Sequence, residues 1–411
     1  MDWSLAYVSF LIYVFVITSY TIPIGTASMV TALIAVFMGE RVRFTSAGSL
    51  FLVFFGVATV SYLGSDWKVF TYEFWNGMAK VILVFLVAQI VLINRERVRF
   101  FIFFYLGVHA LFPVRGALFN YFLYHATEGG RVGWNNIFEN PNDISALLLF
   151  PFALAIGLIF VERNKTLRLL AMGALICIPL VLALAQSRGA MLALGGGFGL
   201  FFLQTKRARI MMLAGVAVVG IVFVTLAPSQ LWQRLGSLEN AATSGNLAAA
   251  NDAGSAEQRM EIWKVSVIVI EENPLIGVGP GSYPFAHVFA ARDPEILRTA
   301  AGLRDAHSTY FTLMAEYGVF GFLVYMLAAG TVWHKSRTVR RQIEAVLPRH
   351  SQQLLLAEIG LISFGAAAVF GSFINLVFTY LQLAIVWALA EMAEKTAAEL
   401  AGTDRTAAGT R

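Results

Sequence analysis

Charge is what this chain has least of. Only 13% of its 411 residues are Asp, Glu, Lys or Arg, against 58% hydrophobic. A water-soluble protein of this length needs far more charge to cover its surface, so a soluble globular fold is excluded and a polytopic membrane protein is expected. Cysteine is nearly missing as well. Cys177 stands alone within an apolar run, so no intrachain disulfide can form, and metal sites built on several thiolates are excluded with it. There is no D-x-D pair, which argues against a soluble-type sugar-nucleotide transferase with a bound divalent ion. There is no P-loop pattern, which argues against ATP as energy source. The first residues, MDWSLAYVSFLIYVFVITSY, lack the positive n-region and small-residue cleavage site of a secretory signal, and are expected to form a retained first spanning helix.

What remains is apolar and long. The mean hydropathy is +0.70. A hydrocarbon core of roughly 30 Å needs about 20 helical residues at about 1.5 Å each. Applied along the chain, that ruler predicts an all-α protein with about twelve spans, near 4–20, 22–38, 46–64, 76–93, 98–114, 143–161, 167–186, 188–204, 208–227, 308–333, 353–371 and 373–391. The formal charge of +5 does not point to nucleic acid, because many of the basic residues lie in short clusters between apolar runs. Arg41 and Arg43, Arg95 to Arg99, Arg163 to Arg168, Lys206 to Arg209, and Lys335 to Arg349 fall in alternate loops, as the positive-inside rule requires. Both termini are therefore expected in the cytoplasm. Segments 115–142 and 228–307 are expected outside, together with the tight turn after the seventh span.

This reading divides the chain into helices 1–5 over 1–114, helices 6–9 with a preceding outer loop over 115–227, a periplasmic loop domain with short helices over 228–307, helices 10–12 over 308–393, and a cytoplasmic tail over 394–411. Within the loop domain, LENAATSGNLAAANDAGS is small and polar. SAEQ reads as a capping box with Ser255 at the N-cap and Gln258 at N3. The helix that follows, RMEIWKVSVIVI, is too short to span and is expected to lie on the membrane surface or pack on the bundle. GVGPGSY, Gly277 to Tyr283, is then expected to make a flexible turn; following no strand, it is weak as a phosphate loop.

A few polar residues sit where lipid-facing sequence has no use for them. In LAQSRGAML, Leu184 to Leu192, Arg188 occupies the turn of a membrane-sized hairpin, and Gly189 beside it admits close approach of a backbone or ligand. Arg188 either snorkels to headgroup phosphates or grips a phosphate by its guanidinium fork. Arg259 lies in the first turn of the outer helix, where the dipole disfavours positive charge. Its neighbours Glu257 and Glu261 do not share its face. It is a solvated arginine, one paired with a distant carboxylate, or part of an anion site. His307, in LRDAHSTYF, is either structural or a base whose ring Asp305 orients, and Ser308 or Asp305 offers a helix cap. Glu316 and Glu358 fall within spans and must face protein or a cavity; His109 reads as packing. NPNDIS, with Asn142, reads first as a helix start with an Asx cap. Arg115 and Arg131 carry charge on the same outer face without fixed geometry.

The SRGA turn after a span, the R-M-E-I-W helix running into NPLIGVGPGSY, the histidine before YFTLMAEYGVFGF, and PND at a helix start together resemble the O-antigen ligase and polymerase superfamily. The resemblance covers roughly residues 130–335 in order and spacing. It implies a C-type glycosyltransferase-like membrane fold and metal-independent, cofactor-free transfer of a glycan from an undecaprenyl diphosphate carrier at the periplasmic face of the inner membrane. The implied acceptor is a lipid A-core, another glycan or a protein. It maps the family's two arginines and histidine onto Arg188, Arg259 and His307, the arginines on the donor diphosphate. Asp305, Ser308, Glu316 and Asn142 stand as candidate supporting residues. Where the family often has Asn after the histidine, this chain has Ser308. A polymerase using the same donor fits the same motifs. A secondary transporter would instead show an internal repeat, which the sequence lacks, and interrupted helices near the midplane. A non-catalytic scaffold would leave the three residues individually replaceable.

Overall fold

The computed structural model describes residues 3–20, 22–40, 42–204, 255–291 and 302–408. Helices account for nearly all of the ordered backbone, and among the described residues no strand occurs beyond one isolated bridge between Glu128 and Arg131. In chain order the helices are α1 (Leu5–Ser19), α2 (Gly25–Gly39), α3 (Ser46–Gly64), α4 (Lys68–Val91), α5 (Arg95–His109), α6 (Arg115–Phe122), α7 (Pro141–Val161), α8 (Lys165–Ala185), α9 (Arg188–Gln204), α10 (Ser255–Glu272), α11 (Tyr283–Ala290), α12 (Thr309–Ile343), α13 (Pro348–Ala367) and α14 (Val377–Ala408). Starts are set by side-chain caps: Ser4, Thr45, Asn94, Asn140 and Asn164 each accept a backbone N–H of the first turn.

Eight helices among the described residues are long and apolar enough to cross a membrane: α3, α4, the continuous run Arg95–Phe122, α7, α8, α12, α13 and α14. This is a multi-pass membrane protein. The described helices do not establish the expected count of about twelve. α1, α2 and α9 are shorter, and the expected span at 208–227 lies outside the described residues. Some boundaries also differ from expectation. The fifth span does not end at 114 but runs on through a π turn at Ala110–Val114 into α6, because the wider turn absorbs the missing N–H of Pro113. α12 reaches Ile343, well past the expected 333, because its charged end is held by ion pairs to neighbouring helices.

α7 and α14 form the buried centre, with 78% and 83% of their most apolar windows inside the protein. α7 packs along α13 and α8, and α12 along α3 and α14. Close approach of α7 and α13 depends on Gly360, where a Cβ would lie 2.9 Å from that of Ala153. At one end of the bundle, ion pairs link the helices: Arg97 to Glu40 at 3.0 Å, Arg43 to Glu391 at 2.6 Å, Arg99 to Glu162 at 2.9 Å, and Arg340 to Glu358 at 3.1 Å. Glu358 is thus consumed by structure, and so is His109, which is 1% exposed and bonds through Nδ1 to the carbonyl of Tyr105.

α12 is broken at Gly318 (φ 65°, ψ −175°). The chain leaving α10 fills the break: Val278 and Gly279 donate N–H groups to the carbonyls of Ala315 and Glu316 at 2.9 and 3.0 Å, and Val319 donates to Pro274 at 2.8 Å. GVGPGSY is therefore no loose turn. Its glycines take φ of 70°, 104° and 70°, and residues 278–283 are buried against α12. A Cβ at Gly318 would lie 2.2 Å from the Leu275 carbonyl oxygen in a backbone region open only to glycine. Gly318→Ala is expected to destabilise the fold by more than about 2 kcal/mol. Thermal unfolding of purified protein in detergent checks this, and an unchanged midpoint would contradict it.

Candidate active site

At the end of the bundle opposite the ion pairs, three elements meet. Asn140 caps α7, accepting from Asn142 N at 2.8 Å, with Pro141 at the first helical position; this sets Asn142 and Asp143 on the opening turn. The expected Asx cap is present. Across from it, Gln186 (φ 52°) ends α8, and the Ser187 hydroxyl accepts from Ala190 N at 3.4 Å, so Arg188 is the first residue of α9. Gly189 lies against Phe370, where a Cβ would approach the ring to 2.9 Å.

A short hairpin clamps this turn. Glu128 and Arg131 exchange backbone bonds of 2.9 and 3.0 Å around Gly129 and Gly130, both at positive φ. Arg131 then reaches over: Nε donates to the Ala185 carbonyl at 2.9 Å and Nη2 to Asn142 Oδ1 at 2.7 Å. Gln186 Nε2 donates to the Gly130 carbonyl at 3.2 Å. Arg131, expected to carry charge without fixed geometry, is the tie between α7 and the turn. Arg115, by contrast, lies over the Phe119 ring.

The third element is α10, which packs on α12 as one of its two expected placements. Trp263 stacks near Phe311 and Phe370 and donates Nε1–H to the Ala306 carbonyl at 3.1 Å. Arg259 enters a small cleft that Asn142, Ser187, Gly189, Phe370 and Phe373 also line. Burial lowers the pKa of its guanidinium, the like charge of Arg188 lowers it further, and Asp143 opposes both. The carboxylate facing Arg259 is therefore Asp143, from a helix more than a hundred residues earlier, and not Glu261, which pairs with Lys264 at 2.7 Å. The sequence reading missed Asp143 because PND explains itself fully as a helix start.

His307 takes a left-handed backbone (φ 48°) just before α12, with 48% of its side chain exposed. Partial burial lowers its pKa below the ordinary imidazole value, the Asp305 carboxylate pulls it back up, and Arg259 and Arg304 reinforce the lowering. Asp305 Oδ2 stands 3.9 Å from Nδ1, beyond hydrogen-bond length, so the carboxylate acts on the ring through charge. Ser308 occupies the N-cap position of α12 and is 1% exposed, but its side chain makes no capping bond. The start of α12 is held instead by Thr309, which donates to the Gly371 carbonyl at 2.7 Å and accepts from Phe373 N at 2.9 Å. Glu316 is buried elsewhere: its Oε1 faces Tyr283 N at 3.4 Å, and its carbonyl accepts from Ser61 Oγ at 2.6 Å. The structure thus brings Arg188, Asn142, Asp143, Arg259, Asp305 and His307 into one charged neighbourhood, and sets Glu316 in the scaffold behind it. Among the described residues, no three His, Cys, Asp or Glu side chains group closely enough to hold a metal ion.

Sequence comparison adds a similarity over part of the chain. Residues 172–326 match the family model described as O-antigen ligase. That match supports placing the chain in the O-antigen ligase and polymerase superfamily, one of glycosyltransferase-like ligases and polymerases. The chain is also similar to an uncharacterized protein of Haemophilus influenzae, at 21% identity over 187 residues; the match covers 44% of this chain and 47% of that protein, about half the length of each.

The clamp can be tested directly. Arg131→Ala should cost about 1–3 kcal/mol of stability by leaving the Ala185 carbonyl and Asn142 without their charged donor. A double-mutant cycle with Asn142→Ala should show coupling of about 0.5 kcal/mol or more, and strict additivity in thermal unfolding would contradict the bond.

Proposed function

We propose that this protein transfers a glycan from a polyprenyl diphosphate carrier to an acceptor hydroxyl, at the end of the bundle that carries Arg188, Arg259 and His307, and that this end faces the periplasm. The observation that carries the reading is the charge neighbourhood of Arg259, which is felt by Arg188, Asp143 and His307 alike. Displacing a diphosphate places negative charge on the leaving oxygen. Two guanidinium groups at the first turns of α9 and α10, where helix N-termini also favour anions, supply the compensation. His307 in its neutral form accepts the acceptor hydroxyl's proton while that oxygen attacks the anomeric carbon. The sugar–phosphate C–O bond breaks and its electron pair leaves with the carrier diphosphate. Attack opposite the leaving group inverts the anomeric centre. Asp143 offsets part of the charge at Arg259, and Asn142 with Arg131 holds the turn that carries Arg188. The lipid chain of the carrier lies in the surrounding membrane, and the acceptor is a lipid A-core, another glycan or a protein.

Transport, the reading from another class, would draw on the interrupted helix α12. The break is filled by backbone from residues 274–279, so its polar groups are already taken up, which favours the transferase.

The glycan profile of cells whose only copy carries His307→Ala, at matched protein level, tests the proposal. Long glycan held on the carrier and absent from its acceptor identifies a ligase; single repeat units identify a polymerase; an unchanged profile removes the mechanism. Arg188→Lys and Arg259→Lys should each slow transfer by about tenfold or more, since an ammonium cannot reproduce the planar fork. The pH dependence has a defined sign. His307 titrates below its ordinary 6.5, so the rate should be level at neutrality and fall as pH drops through that lowered value. Asp305→Asn removes the group that raises this pKa and should move the acid limb to still lower pH. A shift toward neutrality would contradict the assignment.

A further inference from the structure

We propose that Glu316 is a positioning residue: its buried side chain latches the 277–283 turn into the break of α12 and so fixes the spacing between Arg259 and His307. The inference rests on the transferase reading for its consequence and on the backbone geometry for its substance.

His307 stands at the head of the short helical stretch that runs from Thr309 to the break at Gly318. Arg259 stands near the head of α10, a separate helix. Two routes join them. One is direct, from Trp263 Nε1 to the Ala306 carbonyl at 3.1 Å, next to His307. The other runs through Tyr283, whose hydroxyl bonds the Ile262 carbonyl at 3.2 Å and Ser266 Oγ at 2.6 Å on α10. Its backbone N–H meets Glu316 Oε1 on α12 at 3.4 Å. The backbone of Glu316 is gripped as well, its carbonyl accepting from Gly279 N at 3.0 Å and from Ser61 of α3 at 2.6 Å. One residue therefore binds the turn, α3 and α12 at the point where α12 has no continuous helical ladder of its own.

Its second oxygen, Oε2, is buried and has no hydrogen-bond partner. The latch thus needs an acceptor of the right reach and not a full carboxylate. Glutamine supplies the same carbonyl oxygen toward Tyr283 N and puts its amide where Oε2 lies; alanine supplies nothing. A residue needed only for its charge would not show this order, and Glu316→Leu, which keeps the bulk without an acceptor, separates the latch from bulk: it should behave as alanine does.

The test uses the full chain in nanodiscs. Cys177 is the only cysteine, so a Cys177→Ser background carrying Val267→Cys on α10 and Leu303→Cys before His307, both exposed, accepts two spin labels. Double electron–electron resonance should give one narrow distance with native Glu316, a broadened or displaced one in Glu316→Ala, and the native one in Glu316→Gln. In membranes holding the host's carrier-linked glycan, Glu316→Ala should consume that pool about tenfold or more slowly, and Glu316→Gln within about threefold of native. A native distance in the alanine variant, or an alanine-like distance in the glutamine variant, overturns the latch. A disturbed distance with native consumption overturns its role in transfer. If His307→Ala itself consumes the pool normally, the transferase reading falls while the distance measurement still judges the latch.

Discussion

Backbone polar groups inside a membrane have only other protein groups to bond to, and the break in α12 is tolerable because another stretch of the same chain completes it. Residues 274–279 donate to and accept from the unwound backbone around Gly318, almost as an added strand would. Much of the site end follows from this splice. It fixes where α10 ends and seats α11 against α10 and α12. The three positive-φ glycines of the turn are the local requirement for that path, since a Cβ at any of them would meet backbone or a packed side chain.

Against this frame the electrostatics are poised. Arg188 and Arg259 raise each other's energy, and Asp143 offsets part of it at Arg259. Two cations held near one another by separate helices, with acids behind them, form a place where an added anion lowers the energy of the whole arrangement. On the proposed reading that anion is the carrier's diphosphate, and the neutral state of His307, favoured first by partial burial, is favoured further by the positive field that receives the leaving group.

Most of the helices were legible in the sequence because a span is a length and a composition, and both are local. The departures trace to interactions that no local window contains. α12 outruns its apolar stretch because Lys335 and Arg340 find Glu394 and Glu358. The GVGPGSY turn looked loose because its partners lie at 315 and 316. Arg131 looked unfixed because it bonds a carbonyl 54 positions away. Asp143 was hidden for a different reason: a carboxylate in the first turn of a helix already has a sufficient explanation. Arg188, Arg259 and His307 stood out because each was a charged or titratable residue where the local pattern offered no use for it.

The turn between α8 and α9 is so short that Arg188 has no travel of its own. Ser187 caps α9, Gln186 is bonded to the hairpin, and Gly189 is pressed against Phe370, so displacing the backbone from which that guanidinium extends requires tilting two long helices. α10 begins at Ser255 and carries Arg259 about a turn further on, docked through Trp263, Tyr283 and the splice. The site is therefore built as a vice with one jaw cast into the frame and the other bolted on as a separate part. Variation in what the protein grips should accumulate on α10 and the segments flanking it, while the fixed jaw keeps its sequence.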